Sequence, residues 1–160
     1  MGVKFTGRDI IEMGLQIEKN GKAYYEEVLK CAKSQKAKDI FRHLGEEENG
    51  HIHFFQKLLG KAEQEEIAES YPGEYHDYME QLSALHVFTK EGKGKEVACK
   101  IKTEQEALQT AVLFEKDSIL FYYEMKNFSG EKDKKLIDEI IKEEQSHLTK
   151  LTVLAKTLEK

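Results

Sequence analysis

The same acidic pattern occurs twice in this chain. Glu47-Glu48-x-x-His51 returns as Glu143-Glu144-x-x-His147, and Ile17-Glu18-Lys19 with Tyr24-Tyr25 returns as Phe114-Glu115-Lys116 with Phe121-Tyr122. Each copy lies in a stretch whose apolar residues recur at a spacing near 3.6, the mark of an amphipathic helix. Two helical units related by an approximate two-fold can present the same side chains to a shared interior, and few other arrangements can.

The periodicity predicts four long helices. The first runs from about residue 7 to 32, with Ile11, Gly14, Leu15, Gly21, Tyr25 and Val28 on its stripe and Thr6 with Asp9 as a capping box. The second spans about 35–59, carries Phe41, Leu44, Ile52, Phe55 and Leu58, and stops at Gly60. The third, about 104–126, opens on Thr103 and Glu106 and carries Leu108, Ala111, Val112, Ile119 and Tyr122. The fourth, about 131–158, follows Ser129-Gly130 and carries Ile137, Ile140, Ile141, Leu148, Leu151 and Leu154. The joints around Ser34 and from Asn127 to Gly130 are short, which makes two antiparallel hairpins.

Residues 60–103 are long enough to return along the bundle. Tyr75 to Val87 reads as an extra amphipathic helix facing inward through Tyr78, Leu82 and Leu85, and Glu91-Gly92-Lys93-Gly94 reads as a flexible turn. A single proline, Pro72, and a composition rich in Glu, Lys, Leu, Ile and Ala agree with an all-α chain. Its 160 residues suit one domain over 1–160.

Each apolar stripe is interrupted by acid or imidazole. Glu18 lies on the first, Glu48 and His51 on the second, Glu115 on the third, Glu144 and His147 on the fourth. Burying ionised groups unpaired costs several kcal/mol each. No Lys or Arg shares these stripes to form a core ion-pair network. Metal coordination offsets the cost: four carboxylates supply about −4, and two divalent ions about +4. Glu and His three residues apart share a helix face and reach one ion. Carboxylate oxygen mixed with imidazole suits iron or manganese, where thiolate would suit structural zinc. The preceding Glu47 and Glu143 point off the seam, toward solvent or behind the ligands. His43, His53 and His76 read as surface residues, and His86 as a candidate group just behind the centre.

The formal net charge of −5 leaves no basic face for nucleic acid. No run of 18 apolar residues is present to cross a membrane. The start, Met1-Gly2-Val3-Lys4-Phe5-Thr6, matches the loose myristoylation pattern, a short match common by chance, and a soluble, cytoplasmic protein is expected. Cys31 and Cys99 form no C-x-x-C pair and read as small buried side chains in a reducing compartment.

With those residues in view, the chain resembles the rubrerythrin-like branch of the ferritin-like superfamily. The two E-E-x-x-H motifs, the seam residues Glu18 and Glu115, and the Glu-Lys-Asp-Ser run at 115–118 carry the resemblance over nearly the whole chain except the crossover. It implies a ferritin-like four-helix bundle, two antiparallel hairpins joined by a long crossover. It implies two iron ions, with manganese or zinc as substitutes, held by Glu18, Glu48 and His51 and by Glu115, Glu144 and His147. Tyr25, and Tyr122 or Tyr123, fall where such proteins place tyrosines that hydrogen-bond ligand carboxylates. The implied activity is reduction of hydrogen peroxide, or of O2, carried by the four glutamates, Tyr25 and Tyr122, with electrons from a separate rubredoxin-like protein. Iron binding or storage without turnover is the alternative, and a metal-stabilised structural module is a third. Two departures stand out: these 160 residues hold no four-cysteine rubredoxin motif, and Ser118 stands where such proteins usually carry a further glutamate one turn after the third helix's ligand. A homodimer is expected from the long amphipathic helices and the apolar crossover helix.

Overall fold

The computed structural model describes residues 7–64, 74–127 and 129–158. Helices α1 (Gly7–Cys31) and α2 (Gln35–Gln64) form the first hairpin, and α5 (Glu104–Lys126) and α6 (Glu131–Leu158) the second. Between them lie α3 (Glu74–Leu85), a 3-10 turn (Val87–Thr89) and α4 (Lys93–Ala98). No strand occurs among the described residues. The Thr6 cap and the Met1–Thr6 pattern lie outside them.

The joints explain why the hairpins close. Ser34 accepts the Ala37 N–H on its Oγ at 3.2 Å, starting α2. Glu104, in the first turn of α5, accepts the Lys33 and Ser34 backbone N–H groups, so the second hairpin caps the first. Thr103 caps α5 by accepting the Glu106 N–H at 3.1 Å. The Glu106 carboxylate reaches back to the Lys102 N–H at 2.8 Å rather than to Thr103 itself. Helices α1 and α2 pack together, as do α5 and α6, and the hairpins meet through α1 against α5 and α2 against α6.

Four expectations need correction. Helix α2 does not stop at Gly60 but runs to Gln64: Gly60 keeps negative φ, and Ala62 beyond it packs on the core. The crossover helix turns a partly different face inward, although Leu82 packs on the core as expected. Met79, Ser83 and His86 are buried, while Tyr78 and Leu85 are 42% and 76% exposed. Ser83 is buried without penalty because its hydroxyl donates to Met79 O at 2.7 Å, a bond that hydropathy cannot register. The segment read as a flexible turn opens helix α4. Gly92 does take a left-handed conformation (φ 76°), but Gly94 serves close packing: a Cβ there would lie 1.9 Å from Asn20 O on α1. Finally, Cys31 and Cys99 are exposed, because they fall at the C-terminal ends of α1 and α4 rather than on a stripe.

Asn20 fastens the crossover. Its amide donates to Phe88 O at 2.6 Å and Lys90 O at 2.7 Å, and its carbonyl accepts the Gly94 N–H at 3.0 Å. Phe88 then lies against Phe114 and Tyr24, with ring centroids 4.3 and 5.7 Å apart. The crossover therefore roofs the α1–α5 side of the bundle. The α2–α6 side carries no such cover among the described contacts. No helix of the described residues is long and apolar enough to cross a membrane.

Candidate metal centre

One helical residue after another turns by about 100°, so each doubled glutamate sends its two carboxylates in different directions. Glu48 and Glu144 point to the bundle axis, joined there by Glu18, Glu115, His51 and His147, and none of the six is more than 2% exposed. Their donor atoms fall into two overlapping groups, each within 4.8 Å: Glu18, Glu48, His51 and Glu144, and Glu48, Glu115, Glu144 and His147. Glu48 and Glu144 belong to both. The arrangement is two adjacent positions, each with one glutamate and one histidine of its own and two shared glutamates.

The histidines enter through Nδ1. His51 Nδ1 lies 3.0 Å from Glu144, 3.2 Å from Glu18 and 3.5 Å from Glu48. His147 Nδ1 lies 3.2 Å from Glu144 and 3.7 Å from Glu115. Behind each ring, Nε2 meets the off-axis glutamate of the opposite hairpin: His51 with Glu143 at 2.7 Å, His147 with Glu47 at 2.8 Å. The sequence places these two glutamates off the seam but does not say whether each serves its own or the other hairpin. The doubling of Glu in both repeats is the signal that was available.

Tyrosines cross in the same way. Tyr25 on α1 donates its hydroxyl to Glu115 on α5, and Tyr122 on α5 donates to Glu18 on α1. Tyr123 is 47% exposed and away from the centre, so Tyr122 is the counterpart of Tyr25. Burial holds both buried phenols well above their usual pKa, with Glu115 adding to the effect on Tyr25 and Glu18 to that on Tyr122. They stay protonated donors that fix the orientation of those carboxylates.

Both oxygens of Glu48 and Oε2 of Glu115 are buried with no hydrogen-bond partner. Burial, followed by the charge of neighbouring Glu18, pushes the Glu48 carboxyl well up; burial and Glu144 do the same to Glu115. Burial works against the charged form of His147, but its contacts with Glu115 and Glu144 win and raise it to about 10. Glu144 is held low despite its burial by hydrogen bonds from Glu115, His147 and His51. Among the described residues no lysine or arginine is buried to neutralise the group. Protons must do so where cations do not, and oxygens left without partners are what a hard divalent ion would bind. The residues fit a two-metal centre.

Family comparison agrees with this geometry: residues 9–155 match the family model described as rubrerythrin. The chain belongs to the rubrerythrin family. A crystal structure from Thermotoga maritima, described as a ferritin-like diiron-carboxylate protein, is similar in fold at 24% identity, with a TM-score of 0.76 over 98% of each chain. No curated protein sequence matches significantly. The rubrerythrin-type bundle thus brings all six expected donors together.

Of the other histidines, His43 and His53 are exposed, and the His76 side chain lies outside the described residues. His86 is 4% exposed at the end of the crossover helix. Its Nδ1 accepts the Phe88 N–H at 3.2 Å, and its Nε2 lies 3.4 Å from the hydroxyl of Ser118, one turn after Glu115. Burial depresses it to about 4, so it sits there as a neutral ring.

Proposed function

We propose that this protein is a di-iron oxidoreductase that reduces hydrogen peroxide, with O2 as the weaker substrate and a separate redox protein as the electron source. The observation that carries this reading is the overlap of two donor groups through Glu48 and Glu144, which would hold two cations side by side. Two ferrous ions there would supply the two electrons that, with two protons, convert one peroxide to two waters.

The chain's own residues do the rest. Glu18 with His51 and Glu115 with His147 hold the outer side of each position, and Glu48 with Glu144 span both. Tyr25 and Tyr122 keep Glu115 and Glu18 oriented through their donated hydrogen bonds. Phe88, Phe114 and Phe121 exclude water from the α1–α5 side. Protons have a short route on the α2–α6 side, where the Glu143 side chain is 56% exposed against His51.

The test loads the protein anaerobically with ferrous iron, adds hydrogen peroxide and follows absorbance of the oxidised centre. Oxidation faster than that of free ferrous iron, with two irons oxidised per peroxide, is expected. Oxidation no faster than in protein-free buffer would overturn the proposal.

A further inference from the structure

The doubled glutamates carry a second assignment. We propose that Glu143 and Glu47 are positioning residues, each holding the histidine of the opposite hairpin in the one tautomer that can bind a metal. The inference rests on the metal-centre reading above.

An imidazole offers a metal a lone pair on one nitrogen only if its proton is on the other. Both histidines aim Nδ1 at the carboxylate cluster. Each therefore needs its proton on Nε2, with an acceptor there to keep it. The acceptors are Glu143 for His51 and Glu47 for His147, at 2.7 and 2.8 Å. Neither carboxylate can itself reach the cluster through that contact, because the imidazole ring lies between. A carboxylate behind a ligating histidine orients the ring and strengthens it as a donor.

The crossing is what makes the arrangement specific. Helices α2 and α6 run antiparallel along their contact, so residue 47 meets 147 and residue 51 meets 143. In each E-E-x-x-H motif the second glutamate faces the axis and the first faces the neighbouring helix. Glu47 and His51, like Glu143 and His147, are four positions apart on one helix, yet each glutamate meets the histidine of the other helix. The two rings lie near parallel across the seam, 5.9 Å apart, clamped from both sides. A single hairpin thus carries a ligand histidine without its acceptor. Neither metal position is complete until both hairpins meet.

Proton NMR of selectively labelled histidine, on metal-free and zinc(II)-loaded protein, tests this without reference to turnover. Zinc is diamagnetic and serves as the probe. In Glu143→Ala the slowly exchanging Nε2–H signal of His51 should be lost while that of His147 remains, and Glu47→Ala should do the reverse. Zinc affinity by calorimetry should fall ten- to a hundredfold in each, the range for removing a carboxylate behind a ligating histidine. Glu143→Gln, whose carbonyl accepts the same bond, should restore the His51 signal. Loss of the signal on the same helix, or unchanged signals and affinity in both alanine variants, would overturn the proposal and leave the metal centre standing. Wild-type protein that takes up no zinc or iron would overturn both.

Discussion

The two sides of the centre are built differently, although the six candidate donors are arranged as a repeat. On the α1–α5 side the crossover adds a layer: its Phe88 and His86 pack over Phe114 and Phe121 of α5, and it is fastened through Asn20 and Gly94. On the α2–α6 side the cover is one imidazole thick. Behind His51 comes Glu143, 56% exposed; behind His147 comes Glu47, 34% exposed, with Lys150 at 3.6 Å and His43 at 3.1 Å. A two-fold ligand set covered by a single-copy crossover is asymmetric by construction. On the function proposed above, the difference would separate tasks: one side would exclude water and carry stability, and the other would admit protons and ions.

The largest effect should come from residues common to both metal positions, which belong to neither side. Glu48→Leu removes a shared ligand whose two oxygens have no hydrogen-bond partner. Metal analysis should find both ions lost, whereas Glu18→Ala or Glu115→Ala should lose one. The same Glu48→Leu substitution should raise the stability of the metal-free protein by about 1–3 kcal/mol, since a buried unpartnered group disappears. Retention of two ions in Glu48→Leu would break the idea of shared glutamates.

Backbone substitutions compare the sides directly. Gly94→Ala places a methyl against the Asn20 carbonyl, 1.9 Å away, and backbone cannot give way as a side chain can. Overpacking of this kind should cost about 3 kcal/mol, lowering Tm by roughly 6–12 °C for a chain of this size. Gly50→Ala on exposed α2 meets nothing within 4 Å. It should gain up to about 1 kcal/mol from helix propensity. Thermal unfolding of the two variants checks the contrast, and equal shifts would remove it.

These differences also show where sequence reading reached and where it stopped. The hairpins were legible because a helix face declares itself through spacing, and because six polar residues in apolar stripes demand a shared partner. Even the off-seam direction of Glu47 and Glu143 follows from the 100° step. The crossover was not legible to the same degree. Its glycines look alike in sequence, yet Gly92 turns the chain and Gly94 lets two backbones touch. Its buried face includes Ser83 and His86, whose polar atoms are satisfied by Met79 O, the Phe88 N–H and Ser118. Hydropathy instead selects Tyr78 and Leu85, which face outward. Single-copy structure offers no internal repeat to correct such a reading.

The same contrast should appear as opposite responses to pH in the metal-free protein. On the open side, His147 titrates in the fold at about 10 against 6.5 unfolded. A raised value means stability that is complete below the unfolded value and lost as pH rises through the folded one, so Tm should fall between about pH 6.5 and 10. Glu48 and Glu115, also raised, act in the same direction. Loading with metal replaces protons as the counter-charge and should flatten this limb. On the roofed side, His86 is depressed from 6.5 to about 4. Its contribution is therefore present above the unfolded value and is lost as pH falls, about 2 kcal/mol by pH 5. His86→Leu should abolish that acid limb and leave the alkaline one, because Leu cannot charge and His147 is untouched. Zinc should leave the His86 contribution, read as the difference between wild type and His86→Leu from about pH 6.5 to 4.5, unchanged, since His86 lies behind Ser118 and outside both donor groups. Denaturant titrations across pH, with and without zinc, read both limbs in one protein. Should His86→Leu change the alkaline limb, or zinc change the difference between wild type and His86→Leu above about pH 4.5, the two sides would be one coupled unit and the separation of tasks would not hold.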